Sequence, residues 1–256
     1  PTTLSAPQLD RLMGELADHI DLSGCTEYTV EAGRPDTITA EKLAVLARRG
    51  CSRVSVNPQT MQDAVLERMG RAHRADDILR AYALARESGI GCINMDLIAG
   101  LPGDSAEGFR ASLEQVLDLG PENVTVHTLA LKKGSRLMEQ GGGLPTAEEV
   151  SHMLDYAWDA LRQAGYTPYY LYRQKYMSGG FENVGWCRPG TESLYNICMM
   201  EELHTILSLG SGGVTKLIDR QAGSLTRLSN PKYPKEYISQ IETIIRQKEE
   251  IPWPIN

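Results

Sequence analysis

Four polar side chains lie in or directly after β-rich segments, and their chemistry suits a small ligand that carries both charges. Asp96 lies inside the apolar run 95–98, where an unpaired carboxylate is costly. Glu31 ends an earlier β-rich segment, and Gln59 and Arg71 follow the next one. Carboxylates and amides hydrogen-bond to ribose hydroxyls, and a guanidinium binds a carboxylate through two parallel hydrogen bonds. These residues predict a pocket for a zwitterionic nucleoside; alternatively, Glu31 and Asp96 are helix-cap or salt-bridge acids.

Strands and helices alternate in the pattern of residues 4 to 130. Segments rich in β-branched residues predict strands at residues 27–31, 53–57, 92–97 and 123–129. Helical periodicity and capping signals predict helices at Thr39–Arg49, at Asp76–Ser88, after an Asp104 cap with Glu107, and from a Thr146–Glu149 capping box to Gly165. This alternation predicts right-handed βαβ units and a parallel sheet.

The carboxyl ends of parallel strands are where such folds bind ligands. The predicted strands place Glu31, residues 57–59, Asp96 and residues 127–130 at these ends, and Arg71 on the loop after the second strand. We therefore expect these side chains to converge at one edge of the sheet.

The pattern changes after Gly165. Residues 166–172 predict another strand, residues 173–233 are rich in glycine and loops, and Pro234 begins a last amphipathic helix. That helix carries Tyr237, Ile238, Ile241 and Ile245 on one face. The glycine run 210–213 permits close approach of the backbone to a ligand, or else it serves a sheet edge.

Composition restricts the function classes. The chain has 256 residues, 41% of them apolar, and a net charge of −7, which disfavours a general nucleic-acid surface. No apolar stretch approaches the length of a membrane span, and the first residues do not form a signal peptide. The five cysteines show no metal-binding spacing. We expect a cytoplasmic globular protein with reduced thiols, no metal ligands in this chain, and neither nucleic acid nor membrane as a partner.

Several motifs follow one another in a specific order. They are Glu-Tyr-Thr-Val-Glu31-Ala-Gly, Ser-Val-Asn-Pro-Gln59, Met-Gly-Arg71-Ala-His, Asn-Met-Asp96-Leu-Ile-Ala-Gly-Leu-Pro-Gly, Phe-Glu-Asn-Val-Gly185-Trp-Cys and Leu-Gly-Ser-Gly-Gly213. Together they resemble the oxygen-independent coproporphyrinogen III oxidase family of radical SAM enzymes, in particular its coproporphyrinogen dehydrogenase type. The resemblance covers essentially the whole chain.

This resemblance implies an α/β fold, a partial (β/α)6 radical SAM barrel that lacks its first strands, followed by a C-terminal α+β extension. It implies that residues 1–135 are the C-terminal two-thirds of the barrel and that residues 136–256 are a family-specific region. It also implies two cofactors, S-adenosylmethionine and a [4Fe–4S] cluster.

Site residues carry over position by position. By resemblance, Glu31 and Val214 contact a first S-adenosylmethionine, and Gln59, Arg71 and Asp96 contact a second one. Ala130 supplies a backbone contact. The roles of catalytic residues stay unassigned.

The cluster ligands of this family lie in a C-x3-C-x2-C loop, and no cysteine of this chain has that spacing. Pro1-Thr2 resembles the tail of a Gly-Gly-Thr-Pro-Thr loop that follows the family's second strand. We therefore expect the C-terminal part of a longer protein, which by itself would neither bind the cluster nor react. Its incomplete barrel would expose an apolar edge, so we expect marginal stability or aggregation of the isolated chain.

The resemblance implies a reaction of the full-length protein. A reduced cluster cleaves S-adenosylmethionine, the resulting radical takes a hydrogen atom from a propionate of coproporphyrinogen III, and loss of carbon dioxide and an electron leaves a vinyl group. Two rounds give protoporphyrinogen IX, a step of haem biosynthesis, and an external electron donor is required. We expect Arg173, Lys175 and Arg188 to face the propionates of this small-molecule substrate, although a solvated hairpin is the alternative.

Other functions stay open. A related radical SAM protein could use another substrate, or bind haem without decarboxylation. This polypeptide could also be a catalytically silent part of a longer protein. A metal-free barrel hydrolase would use Glu31 and Asp96 as paired acids, but it would leave Gln59 and Arg71 unexplained.

Overall fold

The computed structural model describes residues 1–130, 143–173 and 180–251. Its strands are β1 (Thr29–Gly33), β2 (Arg53–Val56), β3 (Cys92–Ala99), β4 (Asn123–Thr128), β5 (Thr167–Tyr172), β6 (Asn183–Cys187), β7 (Val214–Asp219) and β8 (Ser224–Ser229). Its helices are α1 (Ala6–His19), α2 (Ala40–Arg48), α3 (Asp63–Arg68), α4 (Ala75–Glu87), α5 (Ala106–Leu119), α6 (Ala147–Gln163), α7 (Leu194–Met200), α8 (Pro234–Ser239) and α9 (Ile241–Glu249). The predicted α/β class is confirmed.

A six-stranded sheet in the order β1-β2-β3-β4-β6-β5 organises the first part of the chain. Strands β1 to β4 pair in parallel, as predicted, with the helices α2 to α5 on the connections between them. Strand β6 pairs antiparallel with β4, and β5 pairs antiparallel with β6, so the parallel arrangement does not continue through the last two strands. Within the described ranges β1 has β2 as its one neighbour, which leaves the outer edge of β1 open.

The two faces of this sheet differ in chemistry because side chains alternate along each strand. One face is apolar and packs against α4, α5 and α6; it carries buried residues such as Val54, Met95, Val126 and Trp186. The opposite face carries polar side chains from every strand of the sheet. Register therefore decides which residues meet on this polar face, since a shift of one residue would exchange the two faces.

Helix caps follow the local sequence with one correction. The predicted capping box at Thr146 and Glu149 is confirmed, since the Thr146 side chain accepts from the Glu149 amide and the Glu149 carboxylate accepts from the Thr146 amide. Helix α5 begins one residue later than predicted, because the cap is Ser105, whose hydroxyl accepts from the Gly108 amide at 3.1 Å. Asp104 instead accepts from the side chain of Gln62 and from the amide of Ser105.

The chain divides into two compact units, residues 1–193 and residues 194–256. This division does not coincide with the predicted boundary at residue 135, because α6, β5 and β6 complete the sheet of the first unit. The assignment of residues 136–256 to a family-specific region stays a prediction. None of the helices in the described ranges combines the length and the apolar composition needed to cross a membrane.

The second unit contains the β7–β8 hairpin and the last helices. The predicted single amphipathic helix from Pro234 is two helices, α8 and α9, which meet at Gln240. The predicted apolar face is also wrong in its residues, since Ile244 is buried while Ile238, Ile241 and Ile245 are exposed.

Candidate functional site

The candidate site lies on the polar face of the sheet, toward the carboxyl ends of the parallel strands. Each strand contributes one or two side chains to it, and these are Glu31 from β1, Ser55 from β2, Asn94 and Asp96 from β3, Thr125 and His127 from β4, Asn183 from β6, and Tyr170 and Tyr172 from β5. The structure thus places the acid that interrupts an apolar run on the one face of β3 that is not packed against helices.

Asp96 is the centre of this arrangement. The Asn94 side-chain amide donates to Asp96 Oδ1 at 2.8 Å, and His127 Nε2 lies 3.6 Å from Asp96 Oδ2. The Thr125 hydroxyl donates to Asn94 Oδ1 at 3.3 Å, which orients the side-chain amide of Asn94 toward Asp96. The Asp96 side chain keeps 16% of its surface exposed, so its carboxylate is held by neighbours and still reachable by a ligand.

Glu31 lies close enough to Asp96 for the two charges to interact. Glu31 is exposed as a residue, but partial desolvation of its carboxyl group by the neighbouring strands raises its pKa, and the negative charge of Asp96 raises this pKa further. Ser55 and the cations of Arg53 and His127 act in the opposite direction. Two neighbouring carboxylates on one face favour a ligand that brings hydrogen-bond donors or positive charge.

Gln59 is held beside Asp96 by its backbone. Its amide donates to the Asp96 carbonyl at 2.9 Å, and the Ile98 amide donates to the Gln59 carbonyl at 2.9 Å. Gln59 has a φ of 68°, in the left-handed region that non-glycine residues seldom occupy. These two hydrogen bonds stabilise that strained conformation and hold the backbone of Gln59 beside Asp96.

Arg71 lies beside the segment that leaves β1 at the same edge of the sheet. Burial lowers the pKa of Arg71, and so does the neighbouring Arg34, while Asp36 raises it. Asp36 itself is paired with Arg34, at 2.7 Å, and Arg71 forms no ion pair in the part of the chain that the structure describes. A half-buried guanidinium of this kind is suited to an anionic group of a ligand.

His73 is a buried neighbour of Arg71 that the sequence analysis did not assign. Its side chain is buried, and neither ring nitrogen has a hydrogen-bond partner among the described residues. Burial lowers the pKa of His73, and the charge of Arg71 lowers it further, so the imidazole is neutral at neutral pH. No signal in the sequence distinguishes this histidine, because its burial results from tertiary packing.

Tyrosines of β5 complete the polar face on the side opposite to β1. The rings of Tyr170 and Tyr172 are stacked, with centroids 6.3 Å apart and planes within 5°. The Tyr170 ring lies flat on Gly185 of β6, since a Cβ at Gly185 would come within 1.8 Å of the ring. The Tyr172 hydroxyl lies 3.3 Å from His127 Nδ1. The sequence analysis placed residues 127–130 at this edge, and strand alternation in β4, Asn-x-Thr-x-His, puts His127 on the polar face.

A buried polar network lies at the amino ends of the strands on the same face. Arg53 donates to the carbonyls of Thr191 and Glu192, at 2.9 and 3.1 Å, and to the side chain of Asn123. Arg53 Nε lies 3.6 Å from Glu27 Oε1, and the two side chains are 9% and 11% exposed. The network closes this end of the polar face, so ligands reach the site from the carboxyl end.

Other predicted site residues lie elsewhere. Ala130 follows β4 at the carboxyl edge, whereas Val214 begins β7 in the second unit, and their contacts with a ligand stay predictions. Lys175 lies outside the described residues. Arg173 follows β5 at the carboxyl edge and pairs with Glu182.

Arg188 follows β6 at the opposite edge, and its guanidinium lies over the Tyr166 ring. Arg173 and Arg188 therefore do not form the single cationic patch that the sequence predicted, because β6 runs antiparallel to β4 and carries its end to the amino edge of the sheet. Their role in substrate binding stays a prediction.

Residues 6–116 match the family model of the radical SAM superfamily. This chain belongs to the radical SAM superfamily. It is 45% identical over 251 residues to the oxygen-independent coproporphyrinogen-III oxidase-like protein HemZ of Bacillus subtilis, a match that covers 97% of this chain and 50% of HemZ. It is 32% identical over 201 residues to the heme chaperone HemW of Lactococcus lactis, across 77% of this chain and 50% of HemW.

Among solved structures, the radical SAM enzyme coproporphyrinogen III oxidase HemN of Escherichia coli has the same fold. The TM-score is 0.74 at 22% identity, over 95% of this chain and 55% of HemN. The predicted resemblance to this family is confirmed. The chain spans about half the length of the curated relatives it matches.

The radical SAM family implies S-adenosylmethionine as a cofactor, and the polar face fits it. Asn57 Oδ1 is buried without a hydrogen-bond partner in the described ranges, so it can accept from a polar ligand. Asp96 and Glu31 accept hydrogen bonds, and Arg71 can bind a carboxylate. These donors and acceptors match the ribose, ammonium and carboxylate groups of the cofactor.

The family also implies a [4Fe–4S] cluster, which the described residues do not fit. Over residues 1–130, 143–173 and 180–251, no three histidine, cysteine or acidic side chains are grouped as metal ligands. Cys51, Cys92 and Cys187 are buried, and burial raises the pKa of each thiol, so they are thiols rather than thiolates at neutral pH.

Proposed function

We propose that this chain forms the S-adenosylmethionine-binding wall of an enzyme that converts coproporphyrinogen III to protoporphyrinogen IX without oxygen. The chemistry would be oxidative decarboxylation of two propionate side chains, in haem biosynthesis, with an external electron donor. The observation that carries the proposal is the convergence of Glu31, Gln59 and Asp96 on the polar face. The chain spans about half the length of HemZ, and the activity is proposed for the whole protein.

The residues of this chain act by binding and orientation. Asp96, oriented by Asn94, accepts hydrogen bonds from ribose hydroxyls, and Glu31 accepts from hydroxyl or ammonium groups. In the assignment by resemblance, Glu31 contacts a first molecule of the cofactor, and Arg71 binds the amino-acid carboxylate of the second molecule, which Asp96 also contacts. When bound, S-adenosylmethionine supplies the one-electron chemistry that removes a hydrogen atom from the substrate. The closed amino end of the polar face excludes water from beneath the ligand, and holding the reacting groups in place is the main contribution of the protein.

A second candidate function is haem binding without decarboxylation. The similarity to HemW proteins, which carry the name heme chaperone, supports it. The polar face would then hold S-adenosylmethionine in the same way, and the difference would lie in the fate of the tetrapyrrole.

One experiment separates the two functions. The full-length protein is reconstituted with its cluster under anaerobic conditions and incubated with reductant, S-adenosylmethionine and coproporphyrinogen III, and products are separated by chromatography after oxidation to porphyrins. We expect protoporphyrin IX from the wild-type protein and from Asp118→Asn, which changes an exposed acid on α5, but at least about tenfold less from Asp96→Asn.

Two other results would count against the proposed function. Haem binding in an absorbance titration, with no decarboxylated product at any substrate concentration, would favour the second candidate. Equal activity of Asp96→Asn and wild type would refute the proposed pocket.

A further inference from the structure

His127 joins two parts of the polar face. Its Nε2 lies 3.6 Å from Asp96 Oδ2, and its Nδ1 lies 3.3 Å from the Tyr172 hydroxyl. The His127 side chain is 24% exposed, so it lies at the surface of the polar face rather than beneath it. A chain of polar contacts therefore runs from Asn94 through Asp96 and His127 to Tyr172.

This chain tolerates both protonation states of His127. In the neutral form, Nε2–H can point to Asp96 while Nδ1 accepts from the Tyr172 hydroxyl. In the protonated form, both nitrogens donate, and the tyrosine oxygen accepts. Proton uptake therefore needs no movement of the ring, and it changes the charge beside Asp96.

Four strands place groups around this imidazole. The charged or titratable ones in the described ranges are Asp96 on β3, Glu31 on β1 and Tyr172 on β5, while Asn183 on β6 is neutral. Burial alone lowers the pKa of His127, but the hydrogen bond and charge of Asp96 outweigh it, and Asn183 and Glu31 act in the same direction as Asp96, so the pKa of His127 is raised.

We propose that His127 is a positioning residue that makes nucleoside binding at Asp96 dependent on pH. Protonated His127 binds Asp96 Oδ2 strongly and competes with the ligand for that oxygen. Neutral His127 stays beside Asp96 without a positive charge, so it leaves more of the acceptor capacity of Asp96 to ribose hydroxyls. The inference rests on the proposed function, since it takes the polar face as the nucleoside site.

Thermodynamic linkage between nucleoside binding and protonation of His127 gives the direction in which pH changes the affinity. A bound nucleoside removes water from His127 and donates to Asp96, and both changes disfavour the imidazolium form. Binding therefore releases a proton from His127. By reciprocity, the affinity for the nucleoside rises as the pH rises through the raised pKa of His127.

The test measures binding rather than turnover. Calorimetric titration of the full-length, cluster-loaded protein with S-adenosylhomocysteine, a non-reactive nucleoside, is carried out from pH 6 to pH 8.5. We expect wild-type affinity to increase with pH. His127→Gln, which keeps a neutral donor, should show a flat profile near the high-pH affinity of the wild type.

One further variant and a control complete the design. His127→Leu removes the donor and should bind about tenfold more weakly than the wild type at high pH. His152→Gln, an exposed histidine on α6, should retain the wild-type profile. Melting temperatures of all variants show whether each one is folded; if His127→Leu does not fold, the wild-type and His127→Gln profiles still decide.

The outcomes separate this inference from the proposed function. The role of His127 is overturned if the affinity of the wild type does not depend on pH, or if the affinity of His127→Gln rises with pH as that of the wild type does. Either result counts against His127 alone as long as Asp96→Asn still weakens binding. If Asp96→Asn and Glu31→Gln both bind S-adenosylhomocysteine as the wild type does, the pocket itself is misplaced and the proposed function fails.

Discussion

Replacement of Gly185 by alanine tests the contact that shapes the tyrosine side of the polar face. An alanine Cβ would lie 1.8 Å from Tyr170 Cε1 and 2.3 Å from Cδ1, distances that no packed structure accommodates. The backbone of Gly185 is not in the left-handed region, so the main chain itself accepts alanine. The Tyr170 ring must therefore move, and the ring is the reason that this position needs glycine.

Two opposing effects set how much Gly185→Ala changes the free energy of unfolding. A glycine-to-alanine change at a permissive backbone position stabilises a protein by about 0.4–1 kcal/mol through the unfolded chain. Forcing a ring out of a packed position costs about 1–3 kcal/mol. The net loss is then on the order of 1–2 kcal/mol, which lowers the melting temperature of a unit of this size by about 2–8 °C.

The assay is calorimetric melting of the full-length protein in a double-mutant cycle. Gly185→Ala should destabilise the wild-type background, but in the Tyr170→Ala background the same change should be neutral or stabilising, because the clash is gone. Gly91→Ala is the matched control, since its Cβ would meet no atom within 4 Å and its backbone is also permissive.

The reasoning is refuted if Gly185→Ala costs the same with and without the Tyr170 ring. It is also refuted if Gly185→Ala melts at the temperature of Gly91→Ala. Displacement of the ring should in addition weaken S-adenosylhomocysteine binding, since Tyr170 lies near Asp96.

Three further predictions concern stability, each measured by melting or denaturant unfolding of the full-length protein. The pKa of Glu31 is raised in the folded protein, so the folded state loses stability as the pH rises through that pKa and Glu31 becomes charged. Glutamine stays neutral, so Glu31→Gln should raise the melting temperature more at pH 8 than at pH 4. An equal gain at both pH values would contradict this. Arg53→Met removes the cation beside Glu27 and should cost about 3–5 kcal/mol, whereas a loss below about 1 kcal/mol would show that the buried pair is dispensable. Ser105→Ala should cost about 1 kcal/mol, as should Thr146→Ala at the confirmed cap of α6, because each loses the hydroxyl that accepts from its helix.

Local sequence accounts for the elements and for part of the site. Strands β1 to β4 are recognisable from β-branched segments, and α2, α4 and α6 from periodicity and caps, because these signals act within a few residues. Asp96 could be selected because a carboxylate inside an apolar run needs a reason, and strand alternation then determines that it lies opposite to the packed face. Parallel strands also determine that Glu31, Gln59 and Asp96 share one edge.

Tertiary structure decided the remaining features of the site, because they depend on contacts between residues that are far apart in the sequence. The antiparallel pairing of β6 with β4 separates Arg173 from Arg188 and brings Gly185 beneath Tyr170, and no local pattern in either segment specifies that direction. The contact of His127 with Asp96 requires the register of β3 against β4, which pairs Asp96 with Thr125 and Ile98 with His127. Residue types and local periodicity thus determine what each strand presents on its polar face, while strand direction and register, set by burial of the opposite apolar face, determine which of these groups meet.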